Sequence, residues 1–147
     1  MGLFTAINRS ASGLTAERLR MDTIANNIAN VNATRTAEGG PYRRQMVVFE
    51  PRKEETFASI LAKSQGRGSG VGEGVRVTGI IKSTEPFRMV YDPGHPDANE
   101  EGYVAMPNVN IITEMVDMMT ATRAYEANVT AVNTAKSMAM KALEIGR

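Results

Sequence analysis

The sequence predicts an α+β protein in which long helices at the two ends of the chain pack as a coiled-coil-like pair, with a small β module between them. Both ends lack interior Pro and carry apolar residues at heptad spacing. The middle has β-branched runs separated by Gly and Pro. We therefore predict a terminal helical assembly domain, residues 1–32 and 108–147, and a β-rich outer module, residues 33–107.

The first predicted helix covers residues 3 to about 30. Its stripe has a heptad period, and Ser10 and Glu17 weaken the interleaved row. The helix should end in the Asn-rich tract 26–32, because Asn is a poor residue inside a helix and a good one at its end. The amides of Asn26 and Asn30 either fix register across a helix–helix contact or belong to a solvated helix end. The stripe consists of Ile7, Leu14, Met21 and Ile28.

The middle of the chain reads as short strands joined by loops. We predict strands over 42–49, 75–82 and 87–91, the first stopped by Pro51, and an extended segment from 100 to 109. Residues 52–65 could form a short amphipathic helix. The Gly-rich stretch 66–74 is a flexible linker or hairpin loop, and it is no phosphate loop because it leads into a strand rather than a helix.

The last helix is predicted from Asn108 to Arg147, with Asn108 or Asn110 as its N-cap. Glu114 and Asp117 suit the positive end of the helix dipole. A 4-3-4-3 spacing predicts a packing seam, and a second apolar row beside it predicts burial on several sides. Periodicity alone fits a pair completed by assembly and a compact helical core equally well. The seam runs through Ile111, Met115, Met118, Thr122, Tyr125, Val129, Val132, Lys136, Ala139 and Leu143, and the second row is Ile112, Val116 and Met119.

Composition narrows the classes of function. The net charge of +1 gives no electrostatic case for nucleic acid or an acidic membrane. The absence of Cys excludes disulfides, thiol catalysis and cysteine metal sites. The first residues lack a basic start followed by an apolar run, and no stretch approaches 18 apolar residues. We expect a chain that is cytoplasmic or exported without cleavage of a signal peptide.

The turn Asp92-Pro93-Gly94-His95-Pro96-Asp97 is the one place that invites a chemical interpretation. A metal-binding enzyme using His95 is the alternative hypothesis, but the sequence has no second His and the segment is rich in turn formers. There is also no Ser–His–Asp arrangement and no P-loop. We therefore predict no catalytic, cofactor or metal site, and interpret the segment as a rigid turn.

Five motifs are spread along nearly the whole chain: NNIANVN at 26–32, PYRR at 41–44, YDPGHP at 91–96, GYVAMPNVN at 102–110 and RAYEAN at 123–128. Together they resemble the bacterial flagellar axial proteins, and most closely the short rod subunits of the basal body. The resemblance implies a structural subunit that assembles helically with itself and with other rod proteins, and that carries torque through the periplasm. It also implies export by the flagellar type III apparatus without cleavage, and no small-molecule substrate.

Carried onto this chain, the resemblance implies two sets of assembly residues on the terminal helices. Another axial subunit or an adaptor is the alternative within this class. The tract from Arg52 to Gly74 is longer and richer in Gly than expected of the shortest members, which leaves the shape of the outer module open. The packing set is Ile7, Leu14, Met21, Ile28, Met115, Met118, Tyr125, Val129 and Val132, and the set that fixes register is Asn26, Asn30, Asn128 and Asn133.

Overall fold

A computed structural model describes residues 2–52, 61 and 72–145. Within these residues two long helices enclose four strands in sequence, so the predicted α+β class is confirmed. The strands form two-stranded sheets, β1 with β2 and β3 with β4. The elements are α1 (Leu3–Ala29), β1 (Gln45–Pro51), β2 (Val75–Lys82), β3 (Arg88–Tyr91), β4 (Tyr103–Met106) and α2 (Ile111–Ile145).

The helix ends follow local polar chemistry. Helix α1 ends at Ala29 and a turn follows over residues 30–32, as the Asn-rich tract predicts. Asn110 is the N-cap of α2, because its Oδ1 accepts hydrogen bonds from the backbone N–H groups of Ile112 (3.0 Å) and Thr113 (3.5 Å). Asn108 is occupied elsewhere, since it accepts from the Arg44 N–H and donates to the Glu85 carbonyl. The helix therefore begins after Asn110 rather than at Asn108.

The strands fall close to their predicted places. β2 matches residues 75–82, whereas β1 begins three residues later than predicted and includes Pro51. Pro51 does not end the pairing, because the Arg52 N–H donates to the Gly74 carbonyl at 2.8 Å. Apart from Arg52 and Leu61, the short helix predicted in 52–65 lies outside the described residues, as does most of the Gly-rich stretch 66–74.

The chain divides into two compact units. Unit 1 comprises Met1–Arg18, Phe49–Thr78 and Arg123–Arg147, and unit 2 comprises Leu19–Val48 and Gly79–Thr122. Each unit combines pieces of both helices with β structure.

In unit 2 the segments of α1 and α2 run antiparallel. Asn27 reaches Glu114 at 3.0 Å, while Thr122 Oγ1, two turns further along α2, lies 3.6 Å from the Met21 sulfur. Two contacts about two turns apart on each helix thus pair the helices in opposite directions, which is the arrangement of a coiled-coil-like pair. The apolar core of this unit contains Ile24, Val104, Val109 and Ala121.

Strands β3 and β4 are antiparallel and pair Val90 with Val104 and Tyr91 with Tyr103. Val104 is buried, so this pair marks the inner face of the sheet. The rings of Tyr91 and Tyr103 meet edge to face at 5.3 Å on the other face. Gly102 lies under the Tyr91 ring with φ of +80°, a conformation that favours glycine.

In unit 1 the described core is sparse, and close backbone approach replaces side-chain burial. The carboxamide of Asn128 lies against Gly13, where an added Cβ would be 3.0 Å away. Ser12 Oγ accepts a hydrogen bond from the Val75 N–H at 3.1 Å. Gly74 has φ of +114° beside that hydroxyl, and an added Cβ would lie 2.3 Å from the oxygen. Only a glycine fits between α1 and the start of β2.

Within the folded chain the residues of the predicted α2 seam differ in burial. The row through Met118, Tyr125 and Val132 is half-buried, but Met115 and Thr122 in the other row are exposed. The inward row instead contains Glu114 and Ala121, which are fully buried, and the half-buried Asn128. Glu114 can be buried because its charge is paired, and Ala121 because it is small enough to pack closely. These two residues therefore face inward, and Met115 and Thr122 face solvent.

Candidate functional site

A buried polar cluster joins α1, the start of β1 and α2 within unit 2. Its centre is formed by Asn27 and Glu114, whose residues are 1% and 0% exposed. Buried polar groups are stable only when their hydrogen bonds are made inside the protein, because burial removes them from water. The bonding partners of these two side chains therefore define the cluster.

The Asn27 carboxamide makes hydrogen bonds on both of its polar atoms. Its Oδ1 accepts from the Gln45 N–H and from the Tyr42 hydroxyl, both at 2.9 Å. Its Nδ2 donates to the Gln45 carbonyl at 2.8 Å and to Glu114 Oε2 at 3.0 Å. The side chain thus binds the backbone of β1 as a neighbouring strand would, and it reaches α2 from the same amide.

The Glu114 carboxylate belongs to a network of alternating acidic and basic side chains. Arg44 donates from Nε to Glu114 Oε1 at 2.5 Å and from Nη2 to Asp117 Oδ2 at 3.1 Å. Arg20 Nη2 lies 3.9 Å from Asp117 Oδ1. The Arg44 side chain is 22% exposed, so one edge of the cluster meets solvent. A buried carboxylate needs such a partner, because an unpaired buried charge is costly.

Tyr42 covers the cluster and is itself buried. Burial raises the pKa of the Tyr42 phenol, and the negative charge of Glu114 raises that pKa further. The neutral hydroxyl donates to Asn27 and accepts from Asn26 Nδ2 at 3.4 Å. The phenol therefore belongs to the cluster in its protonated form.

Three of the four predicted register residues, Asn26, Asn30 and Asn128, have local partners in this chain. Asn30 Nδ2 donates to Asn26 Oδ1 at 2.9 Å on the same helix. Asn128 Nδ2 donates to the Ala124 carbonyl at 2.9 Å, and Asn133 is exposed. Asn27, between the two predicted residues of α1, holds the buried position instead. The 4-3-4 spacing of Ala16, Arg20, Thr23 and Asn27 is the sequence signal that could have found it.

The predicted packing residues are mostly half-buried, and the outward side of α2 is strongly apolar. Met115, with the neighbouring Ile112, Val116 and Met119, forms a stripe at helical spacing that we call the outer stripe. These four side chains are 52–74% exposed. The half-buried members of the packing set are Ile7, Leu14, Met21, Ile28, Met118, Tyr125, Val129 and Val132.

The Asp92–Asp97 segment is a hydrogen-bonded turn. His95 Nδ1 accepts from the Asp97 N–H at 3.1 Å. The Asp97 carboxylate accepts from Thr34 Oγ1 at 2.9 Å and pairs with Arg35 at 3.2 Å. Within residues 2–52, 61 and 72–145, no three His, Asp or Glu side chains cluster as metal ligands would. In the same ranges no helix combines the length and apolarity of a membrane span.

Both ends of the chain match families of flagellar rod proteins. Residues 7–35 match the family described as flagella basal body rod protein. Residues 100–145 match the C-terminal family of the flagellar basal body rod FlgEFG proteins. Asn27 lies in the first match and Glu114 in the second, so the buried cluster is built from both. The class that these matches define is the flagellar basal-body rod protein.

Full-length relatives narrow the class to one family. The chain is 53% identical to the flagellar basal-body rod protein FlgC of Bacillus subtilis, with 100% of both chains covered. It is 50% identical to FlgC of Borreliella burgdorferi over 99% of this chain and 98% of that protein. Its identity to FlgC of Salmonella typhimurium is 37%, again over 100% of both chains. The chain belongs to the FlgC family of flagellar basal-body rod proteins.

Proposed function

We propose that this chain is a structural subunit of the proximal rod of the bacterial flagellum. It assembles helically with itself and other rod proteins, and the rod transmits torque from the motor to the hook and filament. Membership of the FlgC family along the whole chain is the observation that carries the proposal. A structural family of this kind implies a role without catalysis.

The outer stripe supports assembly through the terminal helices. Ile112 is 74% exposed and Met119 is 55% exposed, although both lie on a helix whose other side is packed. Exposed apolar patches of this kind are typical of protein–protein contacts. Neighbouring rod subunits would cover this stripe and complete the half-buried packing residues. Asn26, Asn30, Asn128 and Asn133 would then fix the register between subunits.

The same proposal gives a route and a place in the rod. The chain would pass unfolded through the flagellar type III export apparatus and keep its N-terminus uncleaved. Because the chain contains no Cys, it needs no oxidation step to refold after export. In the assembled rod, residues 1–32 and 108–147 would form the inner wall, and residues 33–107 would lie outside it, in the periplasmic part of the basal body.

A substitution in the outer stripe tests the proposal without disturbing the fold of the monomer. Met115→Asp places a charge on a side chain that is 54% exposed, so the purified chain should keep its thermal midpoint. In a strain that lacks the native copy, we expect this variant to lose rod assembly and swimming, because a buried charge would oppose subunit contact. Electron microscopy of basal bodies and motility in soft agar measure both effects.

The matched control is Thr120→Asp, which adds the same charge to an exposed position of the same helix outside the outer stripe. We expect this variant to assemble rods and swim. Normal swimming of Met115→Asp at normal expression would contradict the role of the outer stripe in packing. Absence of the wild-type chain from isolated basal bodies would contradict the proposed function itself.

A further inference from the structure

We propose that Asn27 is the positioning residue of a mechanical joint, formed with Gln45, Glu114 and Arg44, that couples the helix pair of unit 2 to its β structure. The inference rests on the proposed function, because the load that the joint would bear is the torque that the rod transmits. The joint lets the helices and β1 turn together under load.

The Asn27 side chain connects three segments of the chain, namely α1, the start of β1 and α2. The Asn27 amide holds both backbone polar groups of Gln45, with N–H to Oδ1 at 2.9 Å and Nδ2 to the carbonyl at 2.8 Å. The same Nδ2 reaches α2 through Glu114 at 3.0 Å. Arg44, next to Gln45, closes the triangle by donating to Glu114 and Asp117. Each pair of segments is thus joined directly.

Directional bonds resist a kind of motion that apolar contacts allow. Apolar burial depends on the area removed from water and has little preference for direction, so one surface can slide across another at small cost. A hydrogen bond weakens steeply when its angle falls, and a displaced buried donor or acceptor is left without a partner. Since Asn27 and Glu114 are almost completely buried, water cannot easily replace their bonds. The joint is therefore stiff against sliding.

All the hydrogen bonds of the joint form within one subunit. Both polar atoms of the Asn27 carboxamide are already engaged, and Tyr42 occupies the remaining approach by donating to Oδ1. A neighbouring subunit is therefore not required to form the joint. Torque would therefore pass through two independent sets of contacts. One set lies between subunits, and the other is the joint within each subunit.

The test compares two substitutions in unit 2 at matched loss of stability. Asn27→Ala removes the four hydrogen bonds of the carboxamide. Val104→Ala removes apolar packing from a side chain that is 2% exposed and has no part in the joint. The thermal midpoints of the purified chains establish the match. Motor speed is then recorded on beads of increasing size, and basal bodies are counted in the same strains.

We expect both strains to assemble rods and to rotate small beads at wild-type speed. Under high load the fraction of Asn27→Ala motors that still rotate should fall at least about twofold, because rods with a weakened joint fail, while the Val104→Ala motors keep the wild-type curve. Equal load curves at equal stability would overturn the joint, and so would a wild-type curve for Asn27→Ala.

A second variant keeps the inference testable if Asn27→Ala does not assemble. Glu114→Gln keeps the shape of the side chain and removes the charge that Arg44 pairs with, so it loosens the joint more gently. Its load curve should fall between wild type and Asn27→Ala, and a curve matching Val104→Ala would reject the joint. Rods that assemble in every strain with unchanged load curves would refute the joint while leaving the proposed function intact.

Discussion

The two units are built from the same pair of helices, yet they differ in what covers those helices. Unit 2 buries apolar side chains, including Ile24, Val104 and Ala121, and adds the polar cluster around Asn27. In unit 1, Ala16 is the buried apolar side chain among the described residues, and Leu143 and Ile145 of α2 are 71% and 87% exposed. The same helix thus has its apolar side chains buried by its own chain over part of its length and exposed to solvent over the rest.

The difference indicates which unit depends on neighbouring subunits for its stability. Burial of an apolar side chain contributes about 1.5–3 kcal/mol, so a helix with few buried residues gains little from its own chain. Isolated helices of moderate length are marginal in water. We therefore expect unit 2 to be ordered in the free subunit and the terminal parts of both helices in unit 1 to gain order from neighbours.

The largest change should come from breaking the cluster of unit 2. Glu114→Ala removes the charged hydrogen bonds that Arg44 and Asn27 donate to this carboxylate, each worth about 1.5–3 kcal/mol, while Arg44 keeps its pair with Asp117. Urea unfolding followed by circular dichroism measures the loss. Hydrogen exchange should accelerate at residues 23–28 and change little at residues 5–12 of the same helix.

The control for that substitution is its neighbour, Met115→Ala, which is exposed in the monomer. We expect its effect on the free energy of unfolding to stay within about 0.5 kcal/mol. A loss of similar size in both variants, or equal acceleration of exchange in both units, would remove the distinction between them.

A smaller and more local change is expected in unit 1. Gly74→Ala introduces a Cβ at φ of +114° against Ser12 Oγ, which should cost about 1–3 kcal/mol. The Val75 N–H, which donates to that hydroxyl, should exchange faster, while the amides of residues 114–121 keep their protection. Gly79→Ala, in the strand β2 that begins directly after Gly74, is the control, because nothing lies within 4 Å of its added Cβ. An unchanged Val75 amide would show that the close approach has no energetic role.

The smallest effect concerns the pH dependence of unit 2. Tyr42→Phe removes the hydroxyl that donates to Asn27, at a cost of about 1 kcal/mol at neutral pH. Because the pKa of Tyr42 is raised above its ordinary value of 10.0 in the folded chain, its contribution is complete below that pH. The contribution is lost as the pH rises through the folded pKa. The free energy of unfolding should therefore fall less steeply above pH 10 in Tyr42→Phe, and parallel curves would contradict this assignment.

Local patterns in the sequence predicted the elements of the fold well. The bounds of β2, the end of α1 near Asn30 and the cap at Asn110 depend on residues close to one another in the chain. Turn and cap chemistry acts over three or four residues, so a single sequence contains it. The packing and register roles assigned between subunits stay predictions.

The centre of the cluster could not be predicted in the same way. Periodicity treats a carboxylate as an outward residue, whereas Glu114 turns inward because Arg44, 70 residues earlier in the chain, pairs with it. The sequence does not distinguish Asn27 from Asn26 and Asn30, because the three side chains are identical and differ only in the groups that face them. A long-range partner decides the face of a helix, and a pattern within the helix does not contain that partner.

The cap at Asn110 has a consequence for the whole of this arrangement. An α-helix advances about 100° for each residue, so the point where α2 starts sets the direction of every side chain after it. Glu114 and Met115 are adjacent in sequence, yet one is fully buried and the other is 54% exposed. A start displaced by a single residue would turn the thioether inward and the carboxylate toward the neighbours. The cap at Asn110 therefore sets the rotational register of α2, which decides which of its side chains are buried and which are exposed.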